Sequence, residues 1–409
     1  MAEKISFEAP RGMRDFYPED MAWRNRVFDA FRAAGEASGF EPYDSCVVES
    51  YDLLARKAGE EVGEQIYHFF DKSERHIALR AEMTPTLARM VAQRQKELQF
   101  PLKWTTIAQC FRYERMTKGR KREHYQWNID IIGEDSILAE VEVLQAACDA
   151  LIRMGLSSGD FKVHVSSRKF LGELLQKSGI PPEKHAQVFL ALDKRGKMPD
   201  AEIAAMLKDG GLSEDEVKAT FAIMDTKSYE DSPELKELFR LAEIAGFADC
   251  LEFDISVIRG LSYYTGIVFE CFDTAGEFRA IFGGGRYDNL LTTIGGEPTS
   301  AVGLGFGDVV VTELLKSRLG EKAAKEKKGV AVGFMFPEQR DAALKLAASL
   351  RKQGYSVNLQ LKNQKPKKFF SHADSSMAAK AVFLGPDDVE KGVARLKDMQ
   401  TREETEITL

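Results

Sequence analysis

The stretch Phe111-Arg112-Tyr113-Glu114-Arg115-Met116-Thr117-Lys118-Gly119-Arg120-Lys121-Arg122-Glu123-His124-Tyr125-Gln126 stands between two apolar runs, residues 104–113 and 125–132. The runs read as strands and the Gly-containing basic segment as their connection, which predicts a long antiparallel hairpin with a mobile basic tip. Arg112 and Glu114 alternate with aromatic residues and therefore share one strand face. Arg112, Arg115, Lys118, Arg120, Lys121, Arg122 and His124 ring the tip. Such a loop can neutralise a triphosphate and a nucleic-acid backbone together, because guanidinium groups bind phosphate bidentately. A solvated basic hairpin is the plainer reading of the same composition.

Upstream of this hairpin, apolar residues Met21, Val27, Phe28, Phe31 and Ala34 recur with helical period, predicting an amphipathic helix over 19–39 that Gly39 ends. A strand follows at 43–48, then a hairpin of 66–71 and 76–80 over Lys72-Ser73. Leu79-Arg80-Ala81-Glu82-Met83-Thr84-Pro85 offers a carboxylate and a hydroxyl just before a helix, an arrangement that ordinary helix capping also produces. Downstream, 140–154 reads as helix, and 166–245 as an acidic, Ala-rich helical insertion. Strands return at 251–258 and 267–272, with a turn expected at Gly283-Gly284-Gly285. The glycine-spaced segment 301–307 then leads into a helix. Residues 321–328 are charged without apolar period, a linker composition. Beyond them strand (330–334), helix (337–353), strand (356–361), helix (367–379) and strand (380–384) alternate, predicting a small α/β unit with a mostly parallel sheet.

A second cluster, Arg259-Gly260-Leu261-Ser262-Tyr263-Tyr264-Thr265-Gly266, places an Arg-Gly turn and paired tyrosines between two strands. Tyrosine supplies a rigid wall with a hydroxyl, suited to a small polar ligand; a hairpin with core tyrosines is the alternative. At 409 residues the chain exceeds one compact core, so two or three domains are expected. Composition is that of a globular protein, with 44% hydrophobic and 30% charged residues. No apolar run approaches the roughly 18 residues of a membrane span, and no signal-peptide core opens the chain. Five scattered cysteines form no CxxC pair, so neither a zinc ribbon nor a disulfide framework is readable, and a cytoplasmic setting fits. A net charge of −7 argues against a bulk nucleic-acid coat but leaves room for a local basic groove.

Taken in order, these clusters resemble class II aminoacyl-tRNA synthetases, and specifically the histidyl-tRNA synthetase family. The segment 111–126 looks like the family's motif 2, and 259–266 is similar to the signature of the histidine enzymes. Gly284-Gly285-Arg286-Tyr287-Asp288 resembles its companion, and Arg11-Gly12-Met13-Arg14-Asp15-Phe16-Tyr17-Pro18 the N-terminal arm. The resemblance covers essentially the whole chain. It implies an α+β fold: a catalytic domain (1–320) on a six-stranded antiparallel sheet with the helical insertion 166–245, a linker (321–329), and an α/β anticodon-binding domain (330–409).

By the same resemblance the chain joins L-histidine to ATP and loads it onto tRNA(His). Arg112 and Arg259 would be the catalytic guanidiniums, Arg259 standing where relatives hold a magnesium ion. Histidine would be held by Glu82, Met83, Thr84, Arg112, Gln126, Asp130, Arg259, Tyr263 and Tyr264. ATP would be held by Arg112, Glu114, Arg120, His124 and Gly305, with Arg120 on the β- and γ-phosphates and Glu114 on the adenine amino group. No metal ligands are expected from the protein; magnesium would arrive on the ATP phosphates. A cytoplasmic homodimer without membrane contact is implied, and Lys362, Lys365, Lys367 and Lys368 would help read the anticodon, although a solvated lysine-rich loop reads equally well there.

The chain departs from the family pattern at four places. Cys46 stands where motif 1 usually has proline, Val310 where motif 3 has arginine, His124 where motif 2 has phenylalanine, and Ser262 where aspartate is common. Both groups expected to sandwich adenine are thus changed, and losing a cation–π partner costs ~1–2 kcal/mol. A silent histidine-binding paralogue that regulates ATP phosphoribosyltransferase is the alternative reading. The Val310 departure favours it; the intact 259–266 signature and the C-terminal domain oppose it. A synthetase for glycine, threonine or proline is disfavoured by the tyrosine signature.

Overall fold

The computed structural model describes residues 7–55, 65–117, 119–192, 194–195, 198–258, 263–320 and 327–409. The chain divides into two compact units, Met1–Glu321 and Lys322–Leu409. Unit one contains β1 (Glu41–Pro42), β2 (Val48–Ser50), β3 (His68–Phe70), β4 (His76–Leu79), β5 (Leu102–Phe111), β6 (Glu123–Ile132), β7 (Phe161–Ser167), β8 (Leu251–Phe253), β9 (Ile267–Asp273), β10 (Phe282–Arg286) and β11 (Ala301–Gly307). Unit two contains β12 (Val330–Phe334), β13 (Val357–Leu359), β14 (Lys380–Leu384), β15 (Val393–Asp398) and β16 (Glu404–Thr408).

The main sheet runs β1-β5-β6-β11-β10-β9-β7-β8. Its six central strands are antiparallel to one another, as expected, and the short edge strands β1 and β8 add parallel pairings at the two ends. Period-two alternation divides β6 between two layers. Trp127 faces the helix Pro18–Ala37, where Phe31 stacks on it at 4.7 Å and meets Phe306 edge-on at 4.7 Å. Gln126, Asn128 and Asp130 face the other way. The apolar stripe of that helix (Val27, Phe28, Phe31, Ala34) is buried within the chain, so it lends nothing to a dimer surface.

The expected turn at Gly283-Gly284-Gly285 is instead the interior of β10. These glycines permit close approach: a Cβ on Gly284 would collide with the Gly303 carbonyl oxygen, and one on Gly285 with the Ile267 carbonyl oxygen. Glycine read as punctuation here marks tight strand packing. The expected strand at 43–48 is also confined to its end, in β2. A three-stranded sheet, β2-β4-β3, lies beside the site.

Between β7 and β8 the described residues form five α-helices, Arg168–Lys177, Pro182–Leu192, Asp200–Asp209, Glu214–Met224 and Pro233–Ala245. Side-chain caps open three of them: Ser167 accepts from Phe170 N, Ser213 from Glu216 N and Ser232 from Leu235 N. In unit two β13-β12-β14 are parallel, and β15 and β16 extend the sheet antiparallel, which the sequence pattern had not suggested. Their polar, ion-paired character explains why: Lys397 pairs with Glu404 at 3.0 Å, and few apolar positions mark the strands.

Unit one also holds a buried ion pair. Arg286 binds Glu140 through two nitrogens at 2.6 and 2.7 Å, and Glu140 is fully buried. Burial raises the Glu140 carboxyl above its usual range, and Arg286 opposes that rise. Arg286→Ala leaves this carboxylate without its counter-charge and should destabilise the unit by about 3–5 kcal/mol. Urea unfolding measures this; an unchanged midpoint would contradict it.

Candidate active site

Two cavities open on the polar face of β6. The smaller, about 180 Å³, is lined by Glu82, Thr84, Arg112, Gln126, Asn128, Asp130, Tyr263, Tyr264 and Tyr287, with Gly283, Gly303, Leu304 and Gly305. The register sets Gly303 opposite Asp130, Gly305 opposite Asn128 and Gly307 opposite Gln126. A Cβ on Gly303 would collide with Asp130 and one on Gly305 with Gln126, so the bare backbone gives the polar side chains their space.

Asp130 is the electrostatic centre of this cavity. Tyr287 donates its hydroxyl to Asp130 Oδ1, while among the described residues Oδ2 has no partner. Burial pushes the carboxyl up to about 7, against the lowering effect of the Tyr287 hydrogen bond. A buried carboxylate oxygen without a donor is a place for a ligand N–H. Thr84 sits at the head of the helix Thr84–Arg94, and Tyr263 and Tyr264 lie with ring centroids 4.7 Å apart. Met83, expected among the histidine-holding residues, does not line the cavity. It packs with Ala108 and Cys110 in the core, because the turn that aims Glu82 and Thr84 outward aims Met83 in.

The larger cavity, about 240 Å³, is lined by Arg112, Glu114, Gly119, Arg120, Lys121, His124, Gln126, Glu270, Arg279, residues 280–283, Gly305, Gly307, Val309 and Val310. Arg112, Gln126, Gly283 and Gly305 line both cavities. Arg112 is oriented by its Nε, which donates to the Ala81 carbonyl at 2.9 Å. Arg120 and Glu114 hold each other at 2.5 Å. The loop folds back through the Thr117–Arg120 bridge, with Gly119 at φ +82°. His124 is no cation: burial, then Arg112 and Arg14, push its imidazole down to about 3, so it presents a neutral ring. Arg259, Gly260, Leu261, Ser262 and Lys118 lie outside the described residues.

A family model described as Histidyl-tRNA synthetase matches residues 12–307, and one described as Anticodon binding domain matches 326–409. A curated relative, the histidine–tRNA ligase, chloroplastic/mitochondrial, of Arabidopsis thaliana, is 42% identical over 100% of this chain and 86% of its own.

The chain belongs to the histidyl-tRNA synthetase family.

The histidine–tRNA ligase of Leptospira biflexa serovar Patoc is 36% identical over 98% of this chain and 95% of its own. The fold is also that of the histidyl-tRNA synthetase crystal structure from Nostoc sp. PCC 7120, with a TM-score of 0.80 over 99% of this chain and 97% of that one, at 24% identity.

Four polar lining residues were not singled out from sequence. Asn128 was readable, standing two positions from both Gln126 and Asp130 on one strand face. Tyr287 lay within a quoted motif but carried no mark of its hydrogen bond to Asp130. Glu270 and Arg279 had no local signal, since β9 and the segment after it reach the cavity only through the sheet order.

The elevated Asp130 carboxyl sets a pH dependence. Below about pH 7 it is protonated and accepts less well; above it, the carboxylate is the better partner for an imidazole N–H. A ligand that favours the ionised form therefore binds more tightly as pH rises through that value. Calorimetric titration with L-histidine from about pH 6 to 8 should show this rise, and Asp130→Asn should reduce it to the titration of free histidine near 6.5. Identical profiles for both proteins would contradict the assignment.

Proposed function

We propose that the two joined cavities form one adenylation site, with histidine in the smaller, ATP in the larger, and Arg112 at their junction. The chain activates L-histidine with ATP and transfers it to the 3′ end of tRNA(His). The observation that carries the site reading is the shared wall of Arg112, Gln126, Gly283 and Gly305. It would bring the carboxylate of one ligand against the α-phosphate of the other, the near-attack arrangement such a reaction needs.

In the first step the histidine carboxylate oxygen forms a bond to the α-phosphorus, and the bond from that phosphorus to the bridging oxygen breaks, releasing pyrophosphate. No protein base is required, because the carboxylate is already the nucleophile. Arg112, steadied by the Ala81 carbonyl, would hold the α-phosphate and the carboxylate as negative charge gathers between them. Arg259 would share that charge by the family resemblance. Glu82, Thr84, Gln126 and Asp130 would hold the amino group and imidazole, with Tyr263 and Tyr264 as walls. ATP would exchange the Arg120–Glu114 pair for its own contacts, Arg120 taking the phosphates and Glu114 the adenine amino group. Met83 has no place in this assignment. In the second step the terminal ribose hydroxyl of tRNA attacks the histidyl carbonyl and AMP leaves.

Magnesium would enter on ATP and neutralise the leaving phosphates; Glu114 and Glu270 are the carboxylates lining that cavity, and among the described residues no cluster of three metal-binding side chains exists. The second unit would contact the anticodon, a reading supported by a groove lined by Lys365, Lys367, Lys368 and His372. A homodimer is supported by the exposed apolar residues Val47, Val48, Phe69 and Phe70 near the site. The five free cysteines suit a reducing, cytoplasmic compartment, and among the described residues no helix is long and apolar enough to cross a membrane.

Pyrophosphate exchange with each amino acid in turn tests the function. Exchange stimulated by histidine alone is expected; tight histidine binding without exchange would make the chain a regulator instead. Arg259→Ala should weaken histidine binding only modestly while adenylate formation falls by at least about a hundredfold, the scale of losing a transition-state charge contact. Turnover near the normal rate would refute the role of Arg259.

A further inference from the structure

The larger cavity contains a cation to which the roles above give no task. Arg279 comes from the segment between β9 and β10, a different part of the sheet from the hairpin that supplies Arg112 and Arg120. Its backbone is fixed on both sides. The Asp273 carboxylate accepts from Glu277 N and Phe278 N at 2.9 Å each, and Ile281 N donates to the Cys271 carbonyl at 2.7 Å.

The side chain, by contrast, makes no hydrogen bond or ion pair among the described residues, although Arg120 is held by Glu114 and Arg112 by Ala81. Burial and then the charge of Arg120 disfavour its cationic form, with Glu114 and Glu270 acting the other way. Two guanidiniums facing one cavity repel each other unless a multiply charged anion lies between them. The wall formed by Val309 and Val310 supplies no charge.

We propose that Arg279 is a phosphate ligand of this site, gripping with Arg120 the β- and γ-phosphates of ATP and then the released pyrophosphate. This rests on the adenylation reading and adds to it a cation delivered from the β9–β10 segment. The arginine discriminates by phosphate count: it binds ligands carrying the terminal phosphates and is indifferent to AMP.

The test uses the full chain with Arg279→Ala and Arg279→Lys in histidine-dependent pyrophosphate exchange. A lost charge-assisted phosphate contact should raise KM for ATP and for pyrophosphate about tenfold in Arg279→Ala. The histidine KM should stay within about twofold and the inhibition constant of AMP should not move, since neither ligand carries the phosphates Arg279 binds. Lysine should recover part of the affinity, because it keeps the charge without the fork. Unchanged KM values for ATP and pyrophosphate would overturn the proposal, as would weakening of AMP equal to that of ATP, which would put the arginine on the base or the α-phosphate. An unshifted thermal midpoint confirms that the variants fold. Absence of exchange in the wild-type protein would remove the adenylation reading itself, a result obtained before any variant is compared.

Discussion

The register of β6 against β11 governs the rest of this structure. It sets bare glycine backbone opposite three polar side chains on one face and places Trp127 beside Phe306 on the other. A slip of one residue would turn the aromatics into the cavity and Asp130 into the helix layer. Two features oppose such a slip. Phe31 of the first helix meets both aromatics, and the Asp308 carboxylate accepts from the Tyr125 amide at 2.8 Å, tying the start of one strand to the end of its neighbour. The site is therefore a consequence of how the hydrophobic layer behind it is locked.

The same face separates two electrostatic tasks. One cavity concentrates hydroxyls and carboxylates around a buried acid, while the adjoining one concentrates guanidiniums and a neutral imidazole. Arg112 lines both cavities and stands at their boundary. A net charge of −7 over the chain does not preclude such a local concentration of cations.

What the sequence made legible follows from periodicity. The basic hairpin, the helices at both ends of the first unit and the alternating strands and helices after residue 330 carry strong apolar periods, and the structure has them within a few residues. The family resemblance grouped Glu82, Thr84, Gln126, Asp130, Tyr263 and Tyr264, and in the structure they line one cavity. The misreadings share a cause, since they depend on contacts made across the sheet. Gly283–Gly285 looked like a turn until a neighbouring strand explained its lack of side chains. Met83 and Glu82 differ in direction by one residue of backbone, which no residue type announces.

The N-terminal arm carries a consequence for how the polypeptide is made. Arg14 reaches Asp308 at 3.0 Å, a partner 294 positions later, and the Arg122 amide donates to the Gly12 carbonyl. On a ribosome, Arg14 emerges long before Asp308 exists, and this contact stays unmade while nearly three quarters of the protein is synthesised. Contacts of such high sequence separation form late. The Arg14–Asp308 brace beside the motif 2 hairpin can thus close only near the end of the first unit's synthesis.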